Sequence, residues 1–303
     1  MTICNNFKNS FYWFFTRILF LLELCYGQIK VGDWNSLTSY LQIRDFEFIE
    51  NTIYAATEGG VLYINENGYS TITNINGLIG VDLSSIEKDN NNNLWIGGNS
   101  PFGFLQSYDP LKEESLSSFD FQLTSIQDIQ VIDSITWVLF QDGQDNGLMK
   151  FILDENWEYR DVYRNYPEEV TNINCFLALD SMIFIGTNDG IYSSMLENNL
   201  KNPFSWVKNF QNINESVSSI DSNADGLVFI TDEGLYEYFY LTGQLNQINI
   251  QFDLDQAKNI LISENDYWFS KEKSLCVYKN NELLIIENDH NILSISKFGH
   301  KYI

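Results

Sequence analysis

Few side chains in this sequence are spaced to do chemistry. The sharpest pattern is Asp221-Ser222-Asn223-Ala224-Asp225-Gly226, with Asp232 following at the next strand-length. Oxygen ligands at alternate positions, then a glycine that allows a sharp bend, are what a calcium loop needs. Asp221, Asn223 and Asp225 are therefore the metal candidates, and calcium is the only cofactor the sequence offers. Asp232 stands where such a loop carries glutamate. An intervening strand would carry Asp232 too far to close the same shell, so an Asx-rich turn is the plainer reading. Asp89 to Asn93 repeats the spacing without the glycine. Glu113, Glu114, Glu168 and Glu169 could pair as acid and base in a glycosidase, but no motif positions a pair.

Two histidines, His290 and His300, leave no room for a His-based triad or a multi-His metal site. There is no nucleophile elbow and no glycine loop opening a helix. No catalytic residue is assigned, and the expectation is a non-enzyme. The 303 residues carry 41 acidic and 17 basic side chains, a formal charge of −24. That balance excludes nucleic acid, whose phosphates are gripped by clustered Lys and Arg, and an anionic membrane surface. With 44% hydrophobic residues the chain has ample material for a core.

The elements that would position any site announce themselves by repetition. An apolar strand phrase ending in a small residue or Thr recurs as Ile53–Thr57, Leu94–Gly98, Thr136–Leu139, Ile183–Thr187, Leu227–Thr231 and Tyr267–Ser270. Its first positions are 41, 42, 47, 44 and 40 residues apart. A period of ~40–50 with four short strands per unit marks a β-propeller blade. A strand precedes each phrase, among them Asp45–Ile49, Leu83–Ile86, Ile173–Leu179 and Val217–Ile220. Asn, Asp, Ser or Gly joins the two, as a tight hairpin requires. A glycine turn and a third strand follow, at Gly60, Gly147, Gly190 and Gly234. Fourth strands are expected at Tyr69–Thr73, Trp157–Tyr163, Phe204–Phe210 and Leu283–Ile286. Trp95, Trp137 and Trp268 should pack between blades.

Residues 1–27 read as a signal peptide. Lys8 and Arg17 precede the apolar run Ile18–Leu22, and Cys25 and Gly27 suit a cut before Gln28. Arg17 and Glu23 interrupt the run too soon for a bilayer span. No later segment is apolar enough to cross, so residues 28–303 are expected to form an exported propeller domain in the periplasm, on the outer-membrane surface or secreted. Cys175 and Cys276 each lie in a strand-like run, where buried free thiols are expected rather than a bridge.

These residues resemble a known family. Gly77-Leu78, Leu83, Ile86, Asp89, Leu94-Trp95-Ile96-Gly97-Gly98 and Tyr108-Asp109 look like the two-component regulator propeller repeat. Gly32-Asp33-Trp34 to Tyr40, then Ile53–Tyr63 and Asn76-Gly77-Leu78, look like the start of PorZ-type propellers. Gly98 departs from the pattern, which has Thr there, and four asparagines replace its D-x-x-G turn. The resemblance implies a place in type IX secretion or surface attachment, with a protein or envelope polysaccharide as partner.

The expected fold is thus all-β, a propeller of six recognisable four-stranded blades with an incomplete seventh. Trp34–Tyr40 would be an outer strand of that seventh blade and Asn291–Phe298 its first strand, in a chain read as a fragment. The leading expectation for function is non-catalytic binding of a protein or envelope partner. The alternatives are a periplasmic ligand-sensing propeller and a hydrolase or lyase on the propeller axis.

Overall fold

The computed structural model describes residues 38–263, 266–298 and 301–302. The signal-peptide reading of 1–27, the strand expected from Trp34 to Leu37, and His300 lie outside the described residues.

Alternating apolar patterns cut by Asn, Asp and Gly turns give short antiparallel strands, and these sort into six four-stranded sheets. Each sheet is a simple meander in chain order. Blade one runs Ile43–Ile49, Thr52–Thr57, Gly60–Asn65 and Gly68–Ile72. The inner strands of blades two to six are Asp82–Lys88, Ser125–Ile132, Ile173–Ala178, Val217–Ser222 and Ala257–Ser263. The recurring phrase is the second strand of every blade. The only helical turns among the described residues are two 3-10 turns, Asn74–Asn76 and Pro203–Ser205.

Five apolar clusters each join neighbouring blades, and they explain why the phrase repeats. Leu83, Ile86 and Ile96 of blade two pack on Tyr54, Ala56 and Val61 of blade one. Trp95 closes on Phe151 and Trp157 of blade three. Trp137 of blade three meets Phe176 and Ile185 of blade four. The same arrangement continues between blades four and five and between five and six. Trp95 and Trp137 are fully buried, as expected of inter-blade packing, and Trp268 is half-buried.

Small residues in the phrase admit the next blade. A Cβ on Gly97 would sit 2.5 Å from Ile126 Cγ2, and one on Gly186 would sit 2.5 Å from Cys175 Sγ and 2.9 Å from Val217 Cγ1. Cys276 is buried, Cys175 is half-buried, and both are free thiols. Burial pushes both thiols up, that of Cys276 to about 11.

Three expectations need correction. Phe204–Phe210 is not a full outer strand: Phe204 belongs to a 3-10 turn capped by Asn202, and only Val207–Lys208 pairs. The outer strand of blade two, Glu114–Leu123, escaped notice because Ser, Asp and Glu dominate its exposed face. Asn291–Ser296 is not a strand, and no seventh blade is seen among the described residues. Lys297–Phe298 pairs with Lys301–Tyr302 instead. The segment nonetheless runs to the axis. Leu293 O accepts from Asn259 Nδ2 at 2.8 Å, and Ser294 Oγ donates to Asp45 Oδ1 at 3.1 Å. Thr38 to Tyr40, the described end of the other expected strand, is not a strand either. Thr38 Oγ1 donates to Gly59 O at 2.7 Å, in the turn of blade one.

Candidate functional site: the axial mouth

In the inner strands of blades one to five an apolar residue is followed by two residues that share one position on the second strand. In blade six the register slips one residue later, between Lys258 and Leu261, and the polar pair after the apolar residue is Lys258-Asn259. Such a bulge turns two consecutive side chains to one side, where a regular strand would split them between faces. The six pairs are Arg44-Asp45, Ser84-Ser85, Gln127-Asp128, Asn174-Cys175, Ser218-Ser219 and Lys258-Asn259. All twelve line one cavity of about 680 Å³ on the propeller axis. An apolar residue follows each pair, so the signal in sequence is an apolar-x-x-apolar spacing inside a strand. In the sequence that spacing coincides with the family pattern, and its consequence, a ring of polar side chains, shows only in the fold.

Most of the ring is engaged in holding blades together. The first bulge residue of one blade donates to the carbonyl that opens the bulge of the next. Arg44 reaches Leu83 O at 2.8 Å, Ser84 reaches Ile126 O at 2.6 Å, Asn174 reaches Val217 O at 3.0 Å and Ser218 reaches Ala257 O at 2.7 Å. Between blades three and four Asn146 does this for Ile173 O at 2.7 Å. The second bulge residue often accepts an amide of the next blade, as Asp45 does from Ile86 and Ser219 from Ile260, both at 2.9 Å. Deeper in the strands Gln130 accepts from Ala178 N, and Asp221 from Ile262 N.

Burying carboxylates here raises their pKa values. Burial outweighs the hydrogen bonds to Asp45 and pushes it up to about 6. Burial and the neighbouring Asp45 charge push Asp128 up to about 7. Glu87 is also raised, by burial and then by the charges of Glu47, Asp45 and Asp128.

The calcium candidates are drawn into the scaffold. Asp221 lies on the inner strand of blade five, and its Oδ2 accepts from Ile262 N at 2.6 Å. Asn223 Oδ1 accepts from the amides of Asp225 and Gly226 in an Asx turn. Asp225 is exposed. Asp232 lies in the turn at the far end of the strand Gly226–Thr231. Asp89 makes a second Asx turn, accepting from the amides of Asn91 and Asn93. Among the described residues no three His, Cys, Asp or Glu side chains group to hold a metal ion. Glu113, Glu114, Glu168 and Glu169 are all exposed.

The turns after the second strands share the end of the blades that carries the mouth. Thr57 pairs with Ile43, Thr187 with Ile173 and Thr231 with Val217, each beside its bulge. These threonines build one turn three times. The Oγ1 donates to the carbonyl of Gly60, Gly190 or Gly234 and accepts from the amide of Gly59, Asp189 or Glu233. Glu58, Asp189, Asp232 and Glu233 therefore lie on one face.

The chain is a β-propeller by this architecture, and solved structures agree. It is similar to PorZ, described as an essential bacterial surface component of the type IX secretion system of Porphyromonas gingivalis. That match has 14% identity and a TM-score of 0.68 over 89% of this chain. It is also similar to the extracellular domain of a candidate hybrid two-component system from B. thetaiotaomicron, with 15% identity and a TM-score of 0.67 over 87% of this chain. The WD40 β-propeller domain of Doa1 matches at 12% identity and a TM-score of 0.64, over 86% of this chain and 88% of that one. The chain spans 36% of the first two relatives. No family model matches the chain, and no curated protein matches it.

Proposed function

We propose that this chain is an exported, non-catalytic β-propeller that binds a protein partner through the face carrying the mouth and the acidic turns. The observation that carries this is the shared placement of Glu58, Asp189, Asp232 and Glu233 on that face. Loops displayed on a rigid scaffold are where such proteins bind. Export is supported by the signal-like residues 1–27 and by similarity to a surface component and to extracellular domains. No helix among the described residues is long and apolar enough to cross a membrane. Turn charge favours a protein over an envelope polysaccharide, and the resemblance to PorZ favours a role in type IX secretion or surface attachment. A ligand-sensing ectodomain is the second reading, favoured by the two-component relatives.

Two of the four acidic residues are already engaged. Glu58 accepts from Ser39 Oγ and the Gln42 amide, while Asp189 pairs with Lys208 at 2.9 Å and Tyr192 at 2.7 Å. Asp232 and Glu233 are exposed and free to meet a partner. The test is capture of envelope proteins by a D232K/E233K variant, with D154K/E155K on the opposite turns as control. Capture should weaken only in the first variant, and more at low salt than at high salt. Equal capture by both would sink the assignment of this face. Envelope fractionation with N-terminal sequencing should find a mature chain starting at Gln28. A cytosolic chain starting at Met1 would overturn export.

A further inference from the structure

The hydrogen-bond relay around the axis breaks at two blades. In blade three Asn146 takes over the bond to blade four, so Gln127 is left exposed. The only hydrogen bond to the Asp128 carboxylate among the described residues comes from its own neighbour, the Ile129 amide, at 2.9 Å. In blade six the Asn259 side chain makes the onward bond, and the Lys258 ammonium is exposed with no ion-pair partner among the described residues. Arg44 and Asp45, the other two charges in the ring, are both engaged. Arg44 pairs with Asp82, and Asp45 accepts from Phe46, Ser85, Ile86 and Ser294. The two free charges are opposite in sign. Two blades lie between them on either side, so they flank the mouth from opposed blades. Asn99 Oδ1, on the wall of the same cavity, is buried without a partner among the described residues.

We infer that the axial mouth binds a short zwitterionic peptide, its free ammonium on Asp128 and its free carboxylate on Lys258. A cavity of about 680 Å³ falls within the range of small-molecule sites, roughly 300–1,000 Å³. A single amino acid holds its two charges too close together to reach opposed blades. A peptide of about three residues spans ~10 Å when extended. Its amides would find donors and acceptors in Gln127, Asn99 and the Ser219 hydroxyl around the rim. The few apolar side chains on the wall, such as Phe176 and Leu293, give no broad platform for a large hydrophobic ligand. This inference stands apart from partner binding on the acidic turns.

The probe is tri-alanine with free termini, titrated calorimetrically at pH 8, where Asp128 is ionised. Comparison peptides carry an acetylated N-terminus, an amidated C-terminus, or both. Each lost ionic contact should weaken binding by about tenfold or more. D128N should weaken the free peptide by the same factor as acetylation, and acetylation should cost D128N nothing further. K258Q should behave likewise toward amidation. Either variant keeps the scaffold bonds, because neither side chain serves the neighbouring blade. No heat from the free peptide at roughly 10 mM, equal affinity for the doubly capped peptide, or binding unchanged in both variants would each overturn the inference.

Discussion

Ser294 donates to Asp45 across 249 residues of chain, at 3.1 Å, on the propeller axis. The same carboxylate receives the Ile86 amide and the Ser85 hydroxyl of blade two. Asp45 thereby ties the last described axial segment to blade one and blade one to blade two. A buried acceptor in this position matters more for what its loss leaves unpaired than for the strength of any single bond. Asp45→Ala should destabilise the chain by ~2–4 kcal/mol, since it orphans the Ile86 amide and two hydroxyls. Ser294→Ala removes one donor to an acceptor that keeps others, and should cost no more than about 1 kcal/mol. Urea unfolding of the two variants checks the ranking. Equal losses would mean that the axial tie, not the acceptor, dominates.

The raised axial carboxylates make stability fall as pH rises. Asp45, Asp128 and Glu87 hold protons in the folded state at a pH where the unfolded chain has released them. For Asp45 and Asp128 the folded state then binds more protons between about pH 4 and 7, so unfolding becomes easier across that window. Asp128→Asn removes one such group. The variant should match the native chain near pH 4 and exceed it at pH 8. One pKa unit is worth ~1.4 kcal/mol, so the gain at pH 8 amounts to several degrees in Tm. A thermal scan series from pH 4 to 8 measures it, and parallel curves for the two proteins would refute the assignment.

Much of this architecture was legible in the residues. The phrase at 40- to 47-residue spacing located the second strand of every blade, and Trp157–Tyr163 was bounded to the residue. The blade count followed from it. The mouth was less legible because a bulge is written in the strand as two polar residues between apolar ones, which also reads as noise in an alternating pattern. Which ring charges stay free depends on residues distant in the chain, such as Asn146 on the third strand of blade three and Ser294 in the last axial segment, that no local spacing reveals. The outer strand of blade two was hidden for a different reason. An outer strand buries so little that Ser and Glu suffice to form it.

Asp221, Asn223 and Asp225 invite a test by metal addition. Asp221 Oδ2 is occupied by the Ile262 amide of blade six, and Asn223 turns back onto its own loop. Calcium in the millimolar range should leave Tm unchanged. A rise in Tm that EDTA reverses and Asp225→Ala abolishes would restore the calcium site. Asp221→Ala should destabilise the chain by ~1–3 kcal/mol with or without calcium, because it leaves the Ile262 amide without its side-chain acceptor.

Gly97 and Gly186 occupy one position in their blades, opposite the second bulge residues Ser85 and Cys175. The next blade closes directly over each of them. A methyl group at Gly97 would meet the Ile126 side chain at 2.5 and 2.9 Å, in a cluster that also holds Trp95 and Phe140. At Gly186 it would meet the Cys175 thiol and Val217. Neither glycine has the left-handed backbone that would forbid alanine by itself. The cost of substitution is therefore overpacking of an inter-blade core, typically ~1–3 kcal/mol. Gly97→Ala should show the larger loss, because both of its closest contacts, at 2.5 and 2.9 Å, are with the β-branched Ile126. At Gly186 the 2.5 Å contact is with a thiol, and only the 2.9 Å contact is with a β-branched residue, Val217. The Cys175 side chain, half-buried at the mouth, can turn away more easily. If overpacking is the cause, Cys175→Ser, which keeps the volume nearly constant, should not rescue Gly186→Ala, whereas Cys175→Gly should rescue it in part, the Val217 contact remaining. Tm values for the two single variants and the two double variants decide the matter. A rescue by both substitutions at 175 would point to thiol chemistry in place of packing.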